Sequence, residues 1–469
     1  MASWVDRWTF EGKGHMKNPI RACVFKPMPK SNEPIEYHLA PSKSHLIRIL
    51  GLALITGQEI KVSGVNGVGN DVIAMRRCCI QLGLKVIDLD ENFDEIGVSN
   101  RLSPPSNSHH WILSTEGIKK PHSVLNAENS GTALRLLIGI ASSQNFPVML
   151  DGDNSLRSRK SDELLDCLRL GDVNISHGRG SENLPFLIKG PINWNKEFIL
   201  DVSKSSQYIS SLIFSSPGLE DSKLVSFNGQ QVSRRHSKLS QELANTFGAK
   251  CEITSDGLSL DKWESSDIRE YRTPSDLSML SFALLLSRAS GNSVKVSNLP
   301  KQEDSLGNEI LLELLQKLGF NRDEEIFTPN SDSEYLEVDL RDANDLITPI
   351  CALLALGSGG KITGSSHAAH KESNRLEKTV ELLANFGLNC DLTPDGIIVE
   401  GNQKLVQPSR IIRTYADHRL AMTAMALATK TGATIETPDL CQVSDYNFRT
   451  RLAEHWDSAV SAEVLIDVV

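Results

Sequence analysis

A lysine between two serines, in Ala40-Pro41-Ser42-Lys43-Ser44, precedes apolar Leu46, Ile49, Leu50, Ala53 and Leu54 at helical spacing. A helix starting there leaves backbone N–H groups free and turns the positive end of its dipole toward Ser42–Ser44. With Lys43 and Arg48 as counter-charges, that is a place for an anion. Ser42 or Ser44 is the expected cap. The arrangement recurs along the chain. Asn129-Ser130-Gly131-Thr132 is followed by Arg135 and an apolar run, and Ser205-Ser206-Gln207 leads into Ile209, Leu212 and Ile213. Lys371-Glu372-Ser373-Asn374-Arg375 opens a stretch marked by Leu376, Val380 and Leu383, with Lys371 and Arg375 expected on one helical face. Asp417-His418-Arg419 precedes the apolar run LAMTAMALA. Singly, each is what a capped surface helix looks like. Together, in a chain of net charge −10, they point to ligands carrying phosphate and carboxylate groups.

The same charge argues against nonspecific binding to nucleic acid, whose phosphates would be repelled on average. No Walker loop occurs, and the glycine-rich stretch Gly64–Gly69 lacks dinucleotide spacing. The eight cysteines form no Cys-x-x-Cys pair and no zinc-spaced set, so they read as buried thiols of a reducing cytosol. His367 and His370 have no third ligand in sight and read as loop residues, so no metal site is expected. No apolar run is long enough to span a membrane. The first fifteen residues, ending at Gly14-His15 before Met16, read as a cloning leader and are left out of the fold argument.

The elements that position these residues repeat. An apolar helical stretch, then Leu-Gly or Phe-Gly, then a short alternating strand recurs around Gly83, Gly171, Gly248, Gly319 and Gly387. Glycine suits the left-handed turn that ends a helix. One more period falls near LAEHWD, where the pattern is degenerate. With 469 residues, too many for one ordinary core, this predicts about six helix-and-strand units, three per domain, in an α/β fold.

In this order the motifs resemble the EPSP synthase family of enolpyruvyl transferases, from about residue 36 to 450. The resemblance implies two similar domains, each of three βαβαββ units, in an inside-out α/β barrel with the active site in the interdomain cleft. Residues 1–41 with 273–469 would form one domain and 42–272 the other. It implies transfer of the enolpyruvyl group of phosphoenolpyruvate to the 5-hydroxyl of shikimate 3-phosphate, with release of phosphate and no cofactor. The partners would be these two small molecules, with no nucleic acid and no membrane, for a cytoplasmic monomer.

Residue by residue, the motif SKSHLIR carries Lys43, Ser44 and Arg48 to shikimate 3-phosphate, with Lys43 also near phosphoenolpyruvate. NSGTALR carries Asn129 and Gly131 to phosphoenolpyruvate. SSQ and SRRHS carry Ser205, Ser206 and Arg234 to the acceptor's phosphate, with Gln207 between the substrates. KESNR implies Lys371 on the sugar, Glu372 in proton transfer and Arg375 on phosphoenolpyruvate; DHRLAM adds Arg419 there. The catalytic aspartate is Asp345 or, less well placed, Asp342, which reads as a solvated turn residue. Lys43, Asp345 and Glu372 are thus the expected catalytic set.

Three positions depart from the family pattern. In GDNSLRSRK, Arg159 matches the phosphoenolpyruvate arginine but Lys160 replaces a proline, which leaves Arg157 as an alternative. Leu136 also stands where many members have proline, and Ser444 or Asp445 falls where a phosphate-binding lysine is common. The related transferase acting on UDP-N-acetylglucosamine usually carries a reactive cysteine on a glycine-rich loop, and LDGDNSLRSRK has none. A non-catalytic ligand-binding relative would have lost the acid–base residues, which are present here.

Overall fold

The computed structural model describes residues 20–178 and 183–466; the expected leader, residues 1–15, lies outside them. The strands form six small sheets, five of four strands and one of three. The five share one plan. Leu125–Asn126 pairs in parallel with Val148–Asp151, which runs antiparallel to Phe186–Lys189, which in turn runs antiparallel to Asn174–His177. In each, the outer antiparallel pair consists of two successive strands that follow a helix, which is the predicted helix–glycine–strand phrase. The parallel pair is joined through one helix in three sheets. In the other two it brings together strands far apart in the chain, Ile60–Ser63 with Glu270–Arg272 and Ile35–Glu36 with Val294–Lys295.

The sixth sheet explains why the last copy is degenerate. Its strand Ala433–Glu436 pairs antiparallel with Ile20–Phe25, from the other end of the chain, and that strand pairs with Val464–Ile466. The parallel partner is reduced to a single bridge, Ile412 to Ile435. The sixth unit is completed across the termini, so no contiguous stretch of sequence spells it.

Two hydrophobic clusters result, each under three of the sheets. One collects side chains from Leu46 to Leu260, and the other those from Cys23 to Ala40 and from Leu277 to Ala459. The chain passes between them twice, side by side, where Ser42 N donates to Pro274 O and Asp276 N donates to Ala40 O, both at 2.8 Å. Helices lie at the middle of each half. Gly139, in the helix Gly131–Ser142, lets it press onto Gln207–Ser215: a Cβ there would fall 2.0 Å from Ser211 O.

Most repeat glycines act as expected. Gly83, Gly248 and Gly387 follow helix ends with φ of 108°, 99° and 77°. Gly171 does not: its φ is −88° and Asp172 takes the left-handed turn at 60°. Glycine is required there for room, since a Cβ would lie 2.7 Å from Ile192 and 2.8 Å from Phe198.

Candidate active site

All five motif segments open helices, as the apolar spacing predicts. Lys43–Thr56, Gly131–Ser142, Gln207–Ser215, Arg375–Asn385 and His418–Thr431 begin at or just after them. Two local expectations need correction. Ser42 occupies the cap position of Lys43–Thr56 without a capping hydrogen bond, because its hydroxyl is engaged by His45 Nδ1 at 2.8 Å. Lys371 and Arg375 do not share a helical face. The Asn374 side chain accepts from Glu377 N and so starts the helix at Arg375, leaving Lys371–Ser373 as loop.

The segments converge on a cavity of about 550 Å³ between the two halves. From one half come Lys43, Ser44, Gly131, Arg159, Ser205, Ser206 and Gln207; from the other come Asp345, Lys371, Glu372 and His418. Asp345 sits in the turn that leads into Ile347–Leu356. Its two oxygens accept from Arg375 Nη1 at 2.9 Å and Arg419 Nη2 at 3.0 Å. Burial alone would raise its proton affinity, but Arg419 and Arg375 hold it well below the usual carboxylate range.

Glu372 is held in the same way. Arg375 Nη2 donates to it at 2.6 Å and Arg159 Nη1 lies 3.6 Å away, so that, against burial, Arg159 and Arg375 keep it well below its ordinary value. Buried Asp417 anchors Arg375 through Nε at 3.1 Å. Lys43 Nζ donates to Asp71 Oδ2 at 2.9 Å. Burial disfavours both charges of that pair, pushing Asp71 up, yet Lys43 also rises because Asp71 faces it. The contact distance favours an ion pair with Lys43 protonated.

The remaining expected residues are placed as follows. Arg159 Nη2 donates to Asn129 Oδ1 and, at 3.0 Å, to Ser155 Oγ. Arg157 lies outside the cavity, its guanidinium spanning both oxygens of Asp151 at 2.9 and 2.6 Å. A Cβ on Gly131 would meet Arg135 Nη1 at 2.5 Å and Arg159 Nη1 at 3.3 Å, so glycine leaves room for two guanidinium groups. Gln207 Nε2 donates to Thr132 Oγ1 at 2.8 Å. Arg48 does not reach the cavity lining. It is fully buried and donates to Ser240 Oγ, Ser44 O and His236 O at 2.7, 2.7 and 3.0 Å. Arg234 is also outside the lining, paired with Asp342, so Asp342 is no solvated turn residue.

The EPSP synthase family profile, described as 3-phosphoshikimate 1-carboxyvinyltransferase, matches residues 35–452. The chain belongs to the EPSP synthase family. Among relatives bearing that enzyme name, one from Caldivirga maquilingensis is 29% identical over 392 residues, covering 82% of this chain and 87% of its own. Another, from Methanobrevibacter smithii, is 28% identical over 448 residues, 90% of this chain and 96% of its own. A solved EPSP synthase from Acinetobacter baumannii superposes with a TM-score of 0.69 at 21% identity, over 93% of this chain and 98% of that one, which shows a common fold.

Within this EPSP synthase fold, several cavity residues escaped the sequence reading. Asp71 carries no local signal of its pairing with Lys43, 28 residues away. His418 was visible only as part of a charged triplet. Both its ring nitrogens are buried without a partner, and burial with Lys43 and Arg419 nearby keeps it neutral, well below its ordinary value. Gly67 and Gly69, discounted as a glycine-rich stretch, seat segment 443–447. Cβ atoms there would fall 2.6 Å from Asn447 Nδ2 and 2.5 Å from Val443 O. In that segment Ser444 Oγ is buried without a partner and Asp445 is held by Arg451 at 2.8 and 3.2 Å. His367 Nε2 lies 3.4 Å from Ser233 Oγ, while the His370 side chain lies outside the described residues. Among the described residues no His, Cys, Asp and Glu group could hold a metal, and no helix is long and apolar enough to cross a membrane.

Proposed function

We propose that the chain transfers the enolpyruvyl group of phosphoenolpyruvate to the 5-hydroxyl of shikimate 3-phosphate, releasing phosphate. One observation carries the proposal: an ionised Asp345 held by two buried arginines faces the same cavity as Lys43 and Glu372. The reaction needs that pairing. A proton adds to the methylene carbon of phosphoenolpyruvate while the acceptor oxygen bonds to the neighbouring carbon and gives its own proton to a base. The carbon–oxygen bond to phosphate then breaks and a methyl proton leaves, restoring the double bond.

Asp345 serves as the base, since it carries no proton in the empty site. Lys43 carries one there and serves as the acid. Glu372 takes part once ligand anions offset the field of Arg159 and Arg375 that keeps it ionised. Arg159, Arg375 and Arg419, with Asn129, Gly131 and Gln207, hold phosphoenolpyruvate; charge-assisted hydrogen bonds from arginine suit both its carboxylate and its phosphate. Ser44, Ser205, Ser206, Gln207, Lys371 and Arg234 hold the acceptor, with Arg48 positioning Ser44 through its carbonyl. The same reading treats 42–272 as one domain and 1–41 with 273–469 as the other, which the two separate hydrophobic clusters support.

A cysteine-dependent transfer to UDP-N-acetylglucosamine is disfavoured, because all eight cysteines are buried and none lines the cavity. Mass spectrometry tests the assignment. Incubation with phosphoenolpyruvate should convert shikimate 3-phosphate to a species heavier by one enolpyruvyl group and leave UDP-N-acetylglucosamine unchanged. Conversion of the nucleotide sugar instead would overturn it.

A further inference from the structure

The helix Arg234–Thr246 is tied at its first turn to the opposite half. Asp342 accepts from Arg234 N at 2.8 Å through one oxygen and from Arg234 Nη2 at 3.0 Å through the other. Beside this pair, Arg235 Nη2 donates to Glu309 Oε1 at 3.1 Å, and Asn344 Nδ2 donates to Ser233 Oγ at 3.1 Å. Ser233 itself is in the left-handed region, with φ of 49°, as the chain bends into the helix. Its neighbours show what the ion pair does. Ser233 and His236 line the cavity together with Ser205 and Ser206, whereas Arg234, between them in sequence, does not. The Arg234 side chain is 63% exposed and engaged by Asp342.

We infer that Asp342 is an internal counter-ion of the acceptor-phosphate subsite, a positioning residue that keeps Arg234 out of the cavity until a phosphate group replaces it. The inference rests on the reading of Arg234 as a phosphate ligand. The chemistry favours the exchange. A phosphate monoester carries more charge than a carboxylate and offers more acceptor oxygens to a guanidinium. An ion pair this exposed is weak, so its loss costs little. In the empty enzyme the carboxylate satisfies both the arginine and the first N–H of the helix. The acceptor must therefore displace a tethered competitor, and that sets a threshold against small anions that lack the sugar's other contacts.

Calorimetric titration of shikimate 3-phosphate, without phosphoenolpyruvate, tests this. Asp342→Asn keeps an oxygen that can accept from Arg234 N but removes the competing charge. It should bind shikimate 3-phosphate about two- to fivefold tighter than the parent, the range spanned by weak surface ion pairs. Asp342→Ser, also an uncharged cap, should do the same, and shikimate without its phosphate should bind both variants as it binds the parent. In an Arg234→Ala background the Asp342→Asn gain should vanish. If Arg234→Ala weakens shikimate 3-phosphate but both Asp342 variants bind it no tighter than the parent, the counter-ion role is overturned and the phosphate reading of Arg234 stands. If Arg234→Ala leaves the affinity unchanged, that reading fails first, and the inference with it.

Discussion

Arg48 and Arg375 are both buried to within 1% of full burial, yet their surroundings act on them in opposite directions. Arg375 faces Asp417, Glu372 and Asp345, which together outweigh burial and raise its proton affinity. Arg48 has only neutral partners, and burial pushes it down to about 10. Its three donors cross-link two helices through Ser44, His236 and Ser240. Arg48→Ala would leave two carbonyls without those donors and open a hole, so we predict a loss of roughly 2–4 kcal/mol in urea unfolding. A loss below the error of the measurement would show that the guanidinium is not a structural tie. Asp345 makes the opposite kind of prediction. Its replacement by alanine removes the proposed base, and turnover should fall on the order of 100- to 10,000-fold. Calorimetric binding of shikimate 3-phosphate should survive. Turnover within a few-fold of the parent would take Asp345 out of the mechanism.

At the scale of elements, helix starts were legible because their signals are local. A cap residue, a cation and an apolar period lie within one or two turns, and all five segments open helices. The helix–glycine–strand phrase was legible for the same reason in five copies. The sixth was not, because its sheet is closed by Ile20–Phe25 from the far end of the chain. Contacts between segments distant in sequence left no trace either: Asp71 with Lys43, Asp342 with Arg234, and Gly67–Gly69 with segment 443–447. Periodicity reports which face of an element is buried but not what it is buried against. Gly139 shows the cost of such a contact. A methyl group there would overlap the Ser211 carbonyl of the neighbouring helix, and backbone cannot rotate aside as a side chain does. Gly139→Ala should therefore destabilise the protein by about 1–3 kcal/mol or more in urea unfolding. An unchanged midpoint would mean that the two helices can separate freely.

The whole molecule holds a set of neutral buried histidines at and around the cavity. Burial lowers His45 to about 3 and both His236 and His367 to about 4, and it lowers His418 well below its ordinary value. In the unfolded chain each titrates near 6.5. Their folded values are depressed, so between the two the unfolded state binds more protons, and stability is lost as pH falls below about 6.5. Each group contributes a slope of up to about 1.4 kcal/mol per pH unit. Asp345 and Glu372 are also depressed, but from unfolded values near 4, so their contribution is complete above about pH 4 to 5 and falls away only below it. Thermal unfolding should therefore shift steeply downward between pH 7 and 5, before the carboxylates titrate. A midpoint that stays level over that interval would mean the histidines are accessible to protons in the folded state.

The cavity draws Asp345 from one half and Lys43 from the other, and the proposed reaction has them act together on two substrates. The rate of inorganic phosphate release from phosphoenolpyruvate, with and without shikimate 3-phosphate, tests this most directly. The account predicts release only when the acceptor is present, in step with its consumption. Release at the same rate without the acceptor, or none with both substrates present, would contradict it.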